Sequence, residues 1–235
     1  MTGEIQDDNA RALLARLRSF LLPGGEDSAR RVRCVRLKEQ GEIRSGPDAR
    51  WIPFTAEERI DAWRSGFVWE AHLRTARILP MVVVDAYEEG QGRLVVKLGG
   101  AVPVVNVRGP EVDKGELQRY LAGAASCPPM VVAHPTLMWT AVDAKRLQLR
   151  ESEDPTGAAV DIEIAEDGLP VIARAERPRM VGKSTVVTPW SATGLDFCEQ
   201  DGLRLATRRE AAWHLPQGVF TYFRSEVLSY TLEYA

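Results

Sequence analysis

The closing stretch Val227-Leu228-Ser229-Tyr230-Thr231-Leu232-Glu233-Tyr234 alternates over strand length, and Leu137-Met138-Trp139-Thr140-Ala141-Val142 runs apolar over a similar length. Around them the second half of the chain reads as strand after strand: near 137–142, 145–151, 158–165, 170–177, 184–188, 204–214 and 219–234, with turns at Asp167-Gly168, Asp201-Gly202 and Gln217-Gly218. Helical periodicity is nearly absent there. An antiparallel sheet this long must cover one face or curl around something. Toward the N-terminus, Phe67-Val68-Trp69-Glu70-Ala71-His72-Leu73 alternates and Met81 to Tyr87 is a fuller apolar run. Glu88-Glu89-Gly90-Gln91-Gly92 makes the hairpin into Arg93 to Leu98, and Val102 to Val107 is a fourth strand or the approach to a helix. Arg31 to Arg44 is a further strand whose phase slips near Cys34-Val35, the mark of a bulge, and Gly41 marks a second irregularity. The expected fold is mainly β (α+β): a curved antiparallel sheet or half-barrel of about ten strands, with two or three helices packed on or in its concave face.

Three segments carry helix signals. Asp8 or Asn9 caps an amphipathic helix over about 9–22, with Ala10, Leu13, Leu14, Leu17 and Leu21 on one face and Leu22-Pro23-Gly24-Gly25 as its stop. Its ordinary role is to pack that stripe on the sheet; its functional alternative is to dock on a membrane surface or partner. Thr55-Ala56-Glu57-Glu58 has the pattern of a capping box before a short helix, and Asp113-Lys114-Gly115-Glu116 is a second such box. From the latter, Leu117, Tyr120, Leu121 and Ala124 line a helix face that ends at Cys127-Pro128-Pro129. No stretch has linker composition, so residues 1–235 are read as a single domain.

Composition excludes several classes. The 235 residues carry a formal net charge of −3 with both signs interspersed, and without a basic stripe no nucleic-acid partner is expected. The three cysteines, Cys34, Cys127 and Cys198, form no C-x-x-C pair and read as buried free thiols of a cytoplasmic protein. Met1 to Asp8 lacks the pattern of a signal peptide, and no apolar run approaches the roughly 20 residues of a membrane span, so no integral membrane segment is expected. Gly182-Lys183-Ser184-Thr185 imitates the tail of a phosphate-binding loop, but the position that needs the first glycine is Arg177. His72, His134 and His214 have no ligand spacing, and no G-x-S-x-G elbow exists. No catalytic residue, metal or cofactor is therefore assigned, and the oligomeric state stays open.

Phe67-Val68-Trp69-Glu70-Ala71, Arg119-Tyr120-Leu121-Ala122, Val142-Asp143, Thr188-Pro189-Trp190 and Gly202 followed by Trp213 stand in an order that resembles an uncharacterised bacterial family known as a domain of unknown function. The resemblance spans roughly residues 50 to 234 and rests on order and spacing together. It implies no activity. In that family the Arg-Tyr-Leu helix continues with a glutamate and an aromatic before proline, where this chain has Gly123 and Ser126. The element order is similar to the lipoprotein-carrier half-barrel, which implies a sheet plugged by helices with room between them for acyl chains.

The candidate binding residues follow from that shape. Trp69, Trp139, Trp190 and Trp213, with Tyr120 and Phe197, either fill the core or line one concave face around an apolar or amphiphilic small molecule. Arg177 and Arg179 either pair at the surface with Glu163 or Glu176, or face inward and meet an acidic head group. Arg119 is expected to pair with a sheet carboxylate such as Asp143 or Glu70 and is included among the ligand residues. The leading expectation is a non-enzymatic binding protein for a lipid-like or aromatic ligand. The alternatives are an enzyme on a small apolar substrate using Tyr120, Arg119 or His72, and an interaction module with a filled core.

Overall fold

The computed structural model describes residues 7–74, 80–182 and 184–235; residues 1–6 of the stretch read for a leader, and Lys183 of the Gly-Lys-Ser-Thr stretch, lie outside the described residues. The chain begins with helices α1 (Asp8–Leu21) and α2 (Glu26–Arg30). Six strands follow: β1 (Val32–Ile43), β2 (Ile52–Asp61), β3 (Phe67–Leu73), β4 (Met81–Glu88), β5 (Gln91–Leu98) and β6 (Val102–Val107). A helical crossover comprises α3 (Pro110–Leu121), a 3-10 turn (Ala122–Ala125) and α4 (Met130–Ala133). Seven more strands complete the chain: β7 (Leu137–Ala141), β8 (Arg146–Glu151), β9 (Val160–Ile164), β10 (Pro170–Val181), β11 (Ser184–Gln200), β12 (Leu203–Leu215) and β13 (Gly218–Tyr234).

All thirteen strands belong to one unclosed antiparallel sheet in the order β6-β5-β4-β3-β2-β1-β13-β12-β11-β10-β9-β8-β7. Two meanders are thus joined by their first and last strands, with β1 paired to β13 from Val32↔Tyr234 to Ile43↔Phe223. The edges are β6 and β7, which are consecutive in sequence. The chain must cross the whole sheet between them, and that crossing lays α3, the 3-10 turn and α4 over the concave face. Topology alone therefore dictates a helical roof on a curved sheet.

The sheet has more strands than the ten expected, and β2 accounts for one of them. Residues Thr55 to Glu58 are strand, not a capping box, because Phe54, Ala56 and Ile60 point inward on a period of two. Glu58 occupies an inward position in that series, and a carboxylate there disguised the alternation. The second proposed box is also displaced: α3 starts at Pro110 with Gly109 as its cap, and Asp113 instead accepts from the Gly92 amide at 2.7 Å. The slip near Cys34 is present, and a second shift lies between Lys38 and Glu39. Gly41 keeps its register; it is glycine because a Cβ there would fall 2.3 Å from the Arg224 carbonyl oxygen.

Helix α1 is capped by the Asp7 carboxylate, which accepts from the Ala10 amide at 2.6 Å. Its Leu13, Leu14, Leu17 and Leu21 are buried against the sheet. Full burial of one such side chain contributes about 1.5–3 kcal/mol, so this face is a structural seal with no apolar stripe left over for a membrane or partner. Among the described residues, no helix is long and apolar enough to cross a membrane.

Candidate functional site

Three polar residues of helix α3 stand at i, i+3 and i+4 spacing, Glu116, Arg119 and Tyr120, while the buried Gln118 beside them donates to the Ala159 and Glu176 carbonyls. Below them, Asp85 of β4, Trp69 of β3 and Glu58 of β2 stand opposite one another in the sheet register, so they form a row across the concave face. Arg119 spans that row. It donates to Asp85 and, at 3.0 Å, to Glu58 Oε1, while its guanidinium lies over the rings of Phe67 and Trp69. Glu58 also accepts from Arg209 of β12 at 2.6 Å, Arg209 reaches Glu39 of β1 at 2.6 Å, and Glu39 accepts from Trp69 Nε1 at 2.7 Å. On the other side of α3, Arg177 of β10 donates to the Gly115 carbonyl at 2.9 Å and to Glu116 at 3.2 Å, with its guanidinium over Trp190. Buried ion pairs of Arg119 on one side, and the Arg177 hydrogen bonds to Gly115 and Glu116 on the other, therefore strap the roof helix to the sheet.

The energetics of such a band hinge on complete pairing, because an unpaired buried charge is expensive. Burial pulls the Glu58 carboxyl upward, but Arg209 and Arg119 outweigh it and hold the group below its ordinary value. Burial would lower Arg119, yet Asp85, Glu58 and Glu116 raise it, so its charge is secure. Glu116 goes the other way: burial first, then the neighbouring Asp85, push it up to about 8 against the pull of Arg177 and Arg119. Asp85 Oδ1 and Glu116 Oε2 are both buried acceptors without a donor. A proton on Glu116, shared with Asp85, supplies the missing donor to both.

Beside this band lies a cavity of about 160 Å³, bounded by α3, the 3-10 turn and the sheet. Its apolar walls include Phe67, Trp69, Trp190 and Phe223; Glu58, Asp85, Arg119, Arg177 and Arg209 supply the polar ones. Its roof is the run Ala122-Gly123-Ala124-Ala125-Ser126, from which Ala122, Gly123, Ala125 and Ser126 face the space. The small side chains make the room. A Cβ added at Gly123 meets nothing within 4 Å. The turn still touches the sheet at Gly194, where a Cβ would lie 2.7 Å from that of Ala125.

Five of the eight residues singled out from the sequence meet around this cavity: Trp69, Arg119, Tyr120, Arg177 and Trp190. Three lie elsewhere. Trp139 is buried in the core on β7, Trp213 stacks on Tyr222 at 5.8 Å, and Arg179 lies over Trp213, also at 5.8 Å. Phe197 packs edge-on against Phe20 of α1. The expected partners change too. Arg177 pairs inward with Glu116 rather than at the surface with Glu163 or Glu176, and Arg119 pairs with Asp85 and Glu58 rather than Asp143 or Glu70. His72 is exposed beside Glu70 and Tyr120 donates to the Asp61 carbonyl at 2.9 Å, so neither is free for acid–base work in the cavity. Glu39, Glu58, Asp85, Glu116 and Arg209 escaped the sequence reading. The available signal was a charged residue at an inward position of an alternating strand, as in Val35-Arg36-Leu37-Lys38-Glu39.

A family model described as a family of unknown function (DUF6544) matches residues 4–225. Among solved structures, a DUF1329 family protein from Desulfovibrio piger is similar with a TM-score of 0.51 at 9% identity, covering 97% of this chain and 94% of that one. A LolA superfamily protein from Nitrosomonas europaea is similar with a TM-score of 0.50 at 12% identity, covering 96% of this chain and 94% of that one. Both likenesses are of fold. No curated protein matches the chain.

Proposed function

We propose that this chain, which belongs to the DUF6544 family of unknown function, binds an apolar or amphiphilic small molecule in the cavity beneath α3. The cavity itself carries the reading: about 160 Å³ with largely apolar, aromatic walls and a charged band along one side. An apolar cavity of about 150 Å³ accommodates benzene. The occupant that fits without rearrangement is therefore a single ring or a short alkyl chain. A longer acyl chain requires α3 to lift, and lifting α3 breaks the Arg119 and Arg177 pairs. An acidic group on the ligand would be read by Arg177, whose carboxyl partner Glu116 holds its proton at neutral pH. The lipoprotein-carrier-like fold of its neighbours agrees with a trough that holds guests, and the empty space disfavours an interaction module with a filled core. Three free cysteines accord with a reducing cytoplasm as the compartment.

The test uses a filler. Gly123→Phe places a ring where the backbone has open space. Wild-type protein is expected to bind small aromatic and short-chain probes saturably, with displacement by short carboxylic acids, and the Gly123→Phe protein is expected to bind none while melting at a similar temperature. Absence of saturable binding by the wild type across such a panel would end the reading.

A second reading rests on the Asp85–Glu116 pair. Two adjacent carboxyls of which one keeps its proton are the arrangement of general acid–base enzymes, and Asp85 lines the cavity. Turnover of any cavity-binding compound, lost in Asp85→Asn but with binding retained, would favour it over simple carriage.

A further inference from the structure

The β10–β11 hairpin runs past its neighbours. β9 pairs with β10 only as far as Arg174, and β12 pairs with β11 only from Trp190 onward. The two strands continue paired to each other out to Val181↔Ser184. A two-stranded finger therefore projects from the rim that also carries the β12–β13 turn. A free ribbon of this kind has no sheet neighbours to bury it, and polar residues are the usual composition. Here its exposed side chains include Met180 at 59% and Val187 at 62%, together with Val181 and Val186, and Val219 at the adjacent turn is 66% exposed.

Charge at this rim leans positive. Asp and Glu number 33 in the 235 residues, yet none occurs in 177–195 or in 211–225, the two stretches that build these hairpin ends. Of their arginines, Arg177 is buried on Glu116 and Arg224 pairs with Glu42 of β1 at 2.6 Å, which leaves Arg179, among the described residues, as the cation of the finger itself. The Arg179 guanidinium lies over the Trp213 ring. Asp48, in the neighbouring β1–β2 loop, is accompanied there by Arg44 and Arg50. At the foot of the finger stand Arg177 and Trp190, both in the cavity wall.

We propose that this finger and the β12–β13 turn dock the protein on an anionic lipid surface, bringing the foot of the finger, and with it the cavity wall, to the membrane interface. Exposed valine and methionine side chains enter the acyl boundary, while Arg179, Arg44 and Arg50 meet the phosphates. The proposal goes beyond the ligand reading and does not depend on it, since docking takes place whether or not the cavity is filled. The apolar and cationic parts make separate predictions: the first is insensitive to salt, and the second is screened by it.

The experiment is flotation of the full chain with phosphatidylglycerol vesicles and with phosphatidylcholine vesicles, at low and high salt. Wild-type protein is expected to float with phosphatidylglycerol and to bind phosphatidylcholine at least about ten-fold more weakly, with the difference shrinking as salt rises. Met180→Glu with Val187→Glu is expected to abolish flotation while leaving the melting temperature and the binding of cavity probes unchanged, which separates docking from folding and from ligand binding. No flotation of the wild type at low salt, equal binding to both vesicle types, or full binding by the double variant would each overturn the proposal. So would a dimer in solution that the double variant dissolves, because the finger would then be the seat of a second copy.

Discussion

At the rim bearing the β9–β10 and β11–β12 turns, α1, α2 and α4 close the trough by contact. Leucines fill the space, Gly24 and Gly202 come so close that a Cβ on either would clash with the other backbone, and Arg18 and Arg30 donate to the Val131 and Val132 carbonyls. At the opposite side, α3 closes the trough by charge. Arg119 and Arg177 hold it to the sheet, and small residues in the 3-10 turn leave a cavity beneath. The two closures obey different physics. Apolar side chains gain by filling space, so the sealed rim tolerates no void. Ion pairs gain by direction and distance, so the strapped roof is fixed at discrete points and leaves room between them. A binding site belongs on the strapped side, where releasing a few bonds moves a helix without dismantling a core.

The largest effect is expected where a strap is cut. Arg119→Met removes the cation between Asp85 and Glu58, which leaves Asp85 buried without its cation and Glu58 with Arg209 alone, at a cost of about 3–5 kcal/mol in chemical denaturation. Adding Asp85→Asn should recover part of that loss, because the penalty belongs to the abandoned charge and not to the missing bonds. If Arg119→Met unfolds no more easily than a surface variant, charge does not hold this side and the contrast fails. Leu17→Ala on the sealed rim is expected to cost slightly less, about 3 kcal/mol, and to leave cavity probe affinity unchanged. A simultaneous loss of probe binding would mean that the two closures are one cooperative unit.

The same contrast explains what was legible in the sequence. The sealed rim could be read residue by residue: Leu13, Leu14, Leu17 and Leu21 repeat at helical spacing and are all buried, and strand alternation in β3 carried the sheet, whereas in β13 the alternation breaks where β1 shifts register between Lys38 and Glu39 and leaves Leu228 exposed. The strapped side could be read only in part. Its aromatic and arginine members were visible as types, but pairing is a property of three-dimensional register. Glu58 meets Arg209 across 151 positions of sequence, and no local pattern encodes that. Glu58 also misled directly, since a glutamate three residues after Thr55 imitates a cap while serving as an inward residue of β2. Arg177, by contrast, was placed inside or outside as open alternatives, and its inward turn follows from β10 passing under α3, where Glu116 waits.

A smaller effect separates the proton from the charges around it. In the folded chain the Glu116 carboxyl is pushed up to about 8, well above its value in an unfolded chain. The folded state therefore holds a proton that the unfolded state releases, and the stability so gained is complete at low pH and is lost as pH rises through about 8. His134, which burial lowers to about 4, is neutral in the folded chain over this range and loses its remaining proton only in the unfolded chain, which raises stability by about 0.4 kcal/mol above pH 6.5, opposite in sign to the Glu116 effect. Between pH 6.5 and 8, wild-type stability is expected to fall by up to about 2 kcal/mol, and Glu116→Gln, which mimics the protonated form, is expected to flatten that slope. A slope that persists in the variant would assign the proton to another group and would remove Glu116 from the account of charge balance.

The smallest effect tests whether burial, rather than charge as such, distinguishes the strapped side. Lys38 and Glu57 form an ion pair on the outer face of β1 and β2 at 3.1 Å, close to the 3.0 Å of the Arg119–Glu58 pair inside. Both partners are largely exposed. Water already solvates each charge, so little is lost when one is removed and no abandoned charge is left in a low dielectric. Lys38→Ala is expected to change stability by less than about 1 kcal/mol, and raising salt is expected to erase even that. If it instead matched the Arg119 variant, the cost of cutting a strap would reflect ion pairing anywhere on this sheet, and the special standing of the roof helix would be gone.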